Sequence, residues 1–455
     1  MPKLHLLRRV AIFASALAVA ASCGLSAGAQ SPPDVTGEWM LTTVILGHNL
    51  SERLNLKLEK DQLSGTIFRG EKVSLQGTLT GQDVRFKLKE SDGSQSEYSG
   101  QLRGDAMSGE FTIIQSDAEK LTGPWSARRA PTRPTGPRDY DFVPRDFHRQ
   151  LSSSDAPVLH IWPGDTVHTT SVDAGGTDEH SVNRVLGGNP LTGPFYVEGA
   201  MPGDVLAITI KRLRLNRDWA ASDKGMVDRA VTPDYRAKNK PDWSNTRWRL
   251  DIEKGLASLE KPSDSLKDFT LPVRPMLGCV GVAPGFGGAP ISTGDSGYVG
   301  GNMDFNLIGE GATVYLPVSQ PGALLYLGDA HALQGDGELN GDALETSMDI
   351  QFTVDVRREK SIGTPRVENA DYLIAVAYDG SLDGAFSHAT SELAQWLQDD
   401  YKLSGSDVAV ILGTSIQYNI AEVADRNVGL AAKIPKRVLT MVKPGTAPKP
   451  AGDSK

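Results

Sequence analysis

From Asp34 to Arg128 apolar residues return at every second position in short runs: Leu54, Leu56 and Leu58; Leu63 and Ile67; Val84, Phe86 and Leu88; Tyr98 and Leu102; Phe111 and Ile113. Gly, Asp and Ser interrupt these runs at roughly ten-residue intervals, the turn spacing of an antiparallel meander. The pattern predicts a small antiparallel β barrel or sandwich over residues 31–129. Residues 130–138 (APTRPTGPR) have no apolar period and are rich in Pro, which marks a linker.

A longer unit, residues 139–440, is also strand-rich. Met348, Ile350, Phe352, Val354 and Val356 alternate with polar residues, so one face of that strand is buried. Three Pro-Gly turns, at Trp162–Asp165, Met201–Asp204 and Gln320–Ala323, each launch an apolar strand. Asp173 and His331 fall ten residues beyond the prolines of the first and third turns, which would bring them to similar ends of sheet if the strands are equivalent. Helix is expected only late. Phe386, Ala389, Leu393, Trp396 and Leu397 follow a cap at Ser381 or Asp383, and Ser404 to Asp407 form a capping box for a second, short helix. Residues 441–455 read as a disordered tail.

The 455 residues carry a net charge of −9 and no long basic run, which argues against a nucleic-acid partner. Glycine is abundant, 48 residues, above the usual share of about 7%. Residues 1–29 read as a signal peptide: Lys3, Arg8 and Arg9 precede the apolar stretch Val10–Ser22, and Ala27-Gly28-Ala29 offers a cleavage site. The stretch is too short to span about 30 Å of hydrocarbon, so no membrane span is expected. The mature protein would be exported, periplasmic or extracellular, by the Sec or the Tat route. A lipobox reading of Ala21-Ser22-Cys23 is the minor alternative. Cys279 would then be the only thiol; its apolar run reads as core.

The densest chemistry lies in Gly328–Glu338, which carries Asp329, His331, Asp336 and Glu338. One imidazole among carboxylates suits Zn²⁺, with Mn²⁺ or Fe²⁺ as alternatives, better than Ca²⁺. An EF-hand is excluded, because the twelfth position counted from Asp336 is Ser347. Gly300-Gly301-Asn302-Met303-Asp304 lacks the Gly-Lys-Ser/Thr of a phosphate loop and reads as a backbone packed close to a site, with Asp304 its acid and Asn302 a donor to a substrate oxygen.

From about residue 155 to 436 the chain resembles the acetamidase/formamidase family, through Val172-Asp173-Ala174, Gly188–Ala200, Gly281-Val282-Ala283-Pro284, Gly300–Asp304 and the 328–338 run. The resemblance implies a β-rich unit that hydrolyses the C–N bond of short linear amides to ammonia and a carboxylate, with a metal-bearing pocket. The family pattern carries His before Gly-Gly-Asn-Met-Asp, where this chain has Val299, leaving His331 as the motif histidine. On this basis Asp173, Asp304, Asp329 and His331 are the expected metal ligands. Glu338 is the expected general base, and Asn302 the donor to the developing oxyanion. Asp336 and Glu345 are expected one layer behind the ligands. The alternatives are a non-catalytic envelope binding protein on the same fold and a hydrolase of a larger or cyclic amide. A homo-oligomer is a further possibility.

Overall fold

The computed structural model describes residues 34–90, 93–114, 120–240 and 242–443. The predicted signal peptide and most of the predicted tail lie outside them. The N-terminal meander is a barrel. Eight strands, Gly37–Ile45, His48–Glu59, Gln62–Phe68, Lys72–Thr80, Asp83–Lys89, Gln95–Arg103, Ala106–Ile114 and Lys120–Arg129, pair antiparallel in sequence order. The first strand closes the ring by pairing with the last as well as with the second. The period-two apolar residues fill the interior, where Trp39, Phe86, Tyr98, Phe111 and Trp125 are buried and the Phe86 and Tyr98 rings stack with centroids 4.6 Å apart. A polar hollow of about 730 Å³ lies on the outer wall, lined by residues such as Gln76, Arg85 and Glu110.

The barrel is seated on the second unit by charge and shape. Arg53, buried on the barrel wall, forks onto Asp204 with bonds of 2.7 and 2.8 Å. The ring of Phe68 lies against Gly203, leaving no room for a Cβ there. Asp204 belongs to the second Pro-Gly turn, where it also accepts from Met201 N. From Val35 onward the chain is a single compact unit by its contacts.

The second unit is a sandwich of two large sheets. One contains the strands Met276–Val282, Gly300–Asn302, Leu325–His331 and Glu345–Thr346; the other contains Thr166–Thr170, Val205–Leu215, Thr313–Pro317, Met348–Arg357 and Val428–Pro435. Their facing side chains form one core, with Leu206, Ile208 and Phe352 from the second sheet and Val280, Leu325 and Leu327 from the first. The alternation in Met348–Arg357 is as expected, except that Val356 is only half-buried near the strand end. The strand runs antiparallel to Val205–Leu215. Val205 and Ala207, pointing the other way, join a second core with Ala389, Leu393 and Trp396 of the helix Leu382–Tyr401. Ser381 caps that helix by accepting from Gly384 N, and Ser404 caps Gly405–Ser415 by accepting from Asp407 N. Phe386 is not on the buried stripe; it is exposed against Tyr418, and Ala385 takes the inner position. Among the described residues no helix is long and apolar enough to cross a membrane.

Candidate metal centre

The site is built on three neighbouring strands. Met276–Val282 pairs on one side with Gly300–Asn302 and on the other with Leu325–His331. Asp304, just past the first neighbour, and Asp329 and His331, on the second, lean together over Gly278. A Cβ on Gly278 would stand 2.5 Å from Asp304 Oδ1, 2.7 Å from Asp329 Oδ2 and 3.0 Å from His331 Cε1. Glu345 enters as the cross-strand neighbour of His331, and Glu338 from the turn that follows. Asp304, Asp329 and Glu338 all hold left-handed φ values, 37°, 53° and 47°. Such strain in non-glycine residues collects at functional sites because the surrounding fold must impose it.

His331 stands at the centre of the cluster. Its Nδ1 is 2.9 Å from Gln334 Oε1. The Gln334 amide nitrogen is committed to the Asp304 and Ala421 carbonyls, so its oxygen faces the ring and Nδ1–H donates. Nε2 is left facing Glu345 Oε1 at 3.1 Å, Asp329 Oδ1 at 3.6 Å and Asp304 Oδ1 at 3.8 Å, as a lone pair when the ring is neutral and as an N–H when it is protonated. Lone pair against carboxylates is repulsive unless a proton or cation sits between them. Nε2, Asp304 Oδ1, Asp329 Oδ1 and Glu345 Oε2 are buried and make no hydrogen bond. Two overlapping sets, Asp304 with His331 and Glu338, and Asp329 with His331 and Glu345, have ligand atoms within 4.8 Å of one another. Imidazole and carboxylate donors in such a set fit a divalent first-row cation.

The electrostatics agree. Burial, then the negative charge of Glu338 and Asp329, pushes the Asp304 carboxyl well above its usual range. Burial does the same to Glu338 and lifts Glu345 to about 7. Burial alone would depress His331, but Glu345 and Asp329 outweigh it and hold the imidazole well above its ordinary value. Several desolvated carboxyls of one sign are costly to ionise together without a counter-charge.

Asp304, Asp329, His331 and Glu338 are thus brought together, and Glu345 stands inside the cluster rather than behind it. Asp173 is not brought in. Its Oδ2 is taken by Arg217 at 2.6 Å and its Oδ1 by Thr177 N at 2.8 Å. The ten-residue offset was not an equivalence, since the strands after the first and third turns lie in different sheets. Arg217 also reaches the Glu345 carbonyl, so Asp173 braces the site from outside. Asn302 does not offer a free amide: Nδ2 donates to Asp304 Oδ2 at 2.6 Å and to Asp425 Oδ2 at 2.7 Å. Asp336 is exposed and accepts from Asn306 and Asn419. Val299, in the place of the family histidine, is buried in the core. Asn189, Gln334 and Asp425 have site contacts that sequence reasoning did not assign. The first two lie within quoted motifs, whereas Asp425 lies in a loop with no pattern of its own.

Comparison with known proteins fits this geometry. The model of the acetamidase/formamidase family matches residues 292–432, a span that includes Asn302, Asp304, Asp329, His331, Glu338, Glu345 and Asp425. A solved structure described as a predicted acetamidase/formamidase from Thermoanaerobacter tengcongensis is 30% identical, with a TM-score of 0.57 over 68% of this chain and 99% of its own. An acetamidase from Yersinia enterocolitica is 27% identical, with a TM-score of 0.58 over 67% of this chain and 94% of its own. A Schizosaccharomyces pombe protein named for formamidase activity is 51% identical over 41 residues, which is 9% of this chain and 10% of that protein. The chain belongs to the acetamidase/formamidase family, a class of hydrolases acting on the carbon–nitrogen bond of linear amides. Its barrel is an extra domain outside the family match.

Proposed function

We propose that the protein is an exported, metal-dependent amidohydrolase that converts short linear amides of the formamide and acetamide class to ammonia and a carboxylate. The observation that carries this reading is the buried His331 Nε2, without a hydrogen bond, facing Asp304 Oδ1, Asp329 Oδ1 and Glu345 Oε1. His331, Asp304, Asp329 and Glu345 would hold the cation, and Zn²⁺ suits that donor set best, with Mn²⁺ or Fe²⁺ next. When bound, it would supply Lewis acidity to an amide carbonyl and to water. Glu338 has Oε1 anchored by Ala343 N at 3.1 Å, which leaves Oε2 to take a proton from the attacking water. Its raised proton affinity suits it to deliver that proton to the departing nitrogen, since an unprotonated amide nitrogen leaves poorly. Water and the amide are consumed; the C–N bond breaks and a C–O bond forms. Export is supported by the basic, apolar and small-residue order of residues 1–29.

The test is ammonia release from formamide, acetamide and a series of larger amides, with metal content measured on the same preparation. Turnover of the short amides by metal-bearing protein is expected. Absence of both turnover and bound metal would remove the reading.

A further inference from the structure

We infer that Asn189 and Asp425 are positioning residues which, through Asn302, hold Asp304 and Asp329 so that each presents a single oxygen, and that this favours a small first-row cation over Ca²⁺. The inference rests on the metal reading above and concerns residues that do not themselves reach the cation.

The hydrogen bonds form a chain with its direction fixed by chemistry. With Asp304 and Asp425 ionised, as a bound cation would require, both can only accept, so the amide nitrogen of Asn302 faces them. Its oxygen is then left to accept from Asn189 Nδ2 at 3.0 Å, and Asn189 Nδ2 also donates to Asp329 Oδ2 at 3.2 Å. Both aspartates are thereby bound at Oδ2, while Oδ1 of each is buried and without a hydrogen bond. A carboxylate held at one oxygen is a one-point ligand. Ca²⁺ takes six to eight oxygens, often in two-point fashion, whereas Zn²⁺ takes about four donors and accepts imidazole readily.

The outer end of the chain is itself fixed. Asp425 N donates to Glu422 Oε2 at 3.1 Å, and the Asp425 carbonyl accepts from Arg229 Nη1 at 2.8 Å. Removing the Asp425 acceptor would free one hydrogen of the Asn302 amide and let it turn, releasing Asp304 Oδ2. Asn302, saturated in this way, holds an acid in place and has no donor left for a substrate oxygen.

The experiment is calorimetric titration of metal-free full-length protein with Zn²⁺ and, separately, Ca²⁺. Asp425→Ala should weaken Zn²⁺ binding by about 10- to 100-fold, the usual effect of losing a partner that orients a ligand, and lower the Zn²⁺/Ca²⁺ affinity ratio. Asp425→Asn, which keeps an acceptor oxygen, should stay within a few-fold of the parent. Asn189→Ala, on a separate loop, gives an independent reading if Asp425→Ala does not fold, and should weaken Zn²⁺ in the same way. Parent protein that binds no Zn²⁺ would overturn the metal reading itself. Parent protein that binds, with both alanine variants unchanged in affinity and ratio, would overturn the positioning roles alone. Loss in Asp425→Asn as large as in Asp425→Ala would show that charge acts there instead of hydrogen-bond geometry, and would equally overturn them.

Discussion

Gly278 lies directly beneath Asp304, so close that a methyl group on its Cα would sit 2.5 Å from Oδ1. Gly278 is in a strand and Asp304 lies just past the end of the neighbouring one, and the acid can lean inward only because the strand below it has no side chain at that point. Gly278→Ala should therefore displace Asp304 and Asp329 while leaving the strand, which has no positive φ there, able to form. A shift of about 1 Å in a catalytic group costs on the order of 100-fold in rate. Steady-state amide hydrolysis with a circular-dichroism check of folding tests this. Activity within a few-fold of the parent would mean the acids are not held as described.

Glu338→Gln keeps the shape of the side chain and the Oε1 contact with Ala343 N. It removes a proton acceptor of raised affinity, so turnover should fall by about 10²- to 10⁴-fold. Metal content should be unchanged. Retained turnover would take Glu338 out of the proton-transfer role, and loss of metal would make it a ligand instead.

Arg53→Met should loosen the seat of the barrel. It leaves Asp204, wholly buried, without its cation, a change that typically costs about 3–5 kcal/mol. Urea denaturation measures it. A loss below about 1 kcal/mol would mean that Phe68 on Gly203 and the surrounding surface hold the barrel unaided.

Glu422 supplies a pH dependence away from the proposed ligands. Burial raises its carboxyl from 4.5 to about 8. Between those values the folded chain keeps a proton that the unfolded chain has released, so its contribution to stability is full below about pH 4.5 and declines as pH rises to about 8. Glu422→Gln has no proton to lose. Its stability relative to the parent should rise with pH across this window by up to about 1.4 kcal/mol per unit, read from denaturation at pH 5, 6.5 and 8 without metal. A difference independent of pH would contradict the shift.

Much of the architecture is written in local pattern. The alternation of Val84, Phe86 and Leu88 marks an inward face, and Ser381 and Ser404 mark helix starts, because strand and helix periods act over a few residues. The core of the site was legible for the same reason, with Asp329, His331 and Glu338 inside one eleven-residue run. Roles that depend on distant partners were not. Asp173 has the look of a ligand until Arg217, 44 residues later, takes its carboxylate. Asn302 reads as a free donor until Asp425, 123 residues later, occupies it. Glu345 reads as an outer-layer acid in the sequence because its cross-strand pairing with His331 is a matter of register, which spacing alone does not reveal.

The amide chain from Asn189 to Asp425 crosses two long intervals, 113 residues to Asn302 and 123 more to the far carboxylate. Contacts at such separation are closed late, because the loops between them must first be ordered. A cation held as proposed would therefore not nucleate folding. It would bind once both sheets had formed, and its affinity would report on whether a refolded chain has reached its native state.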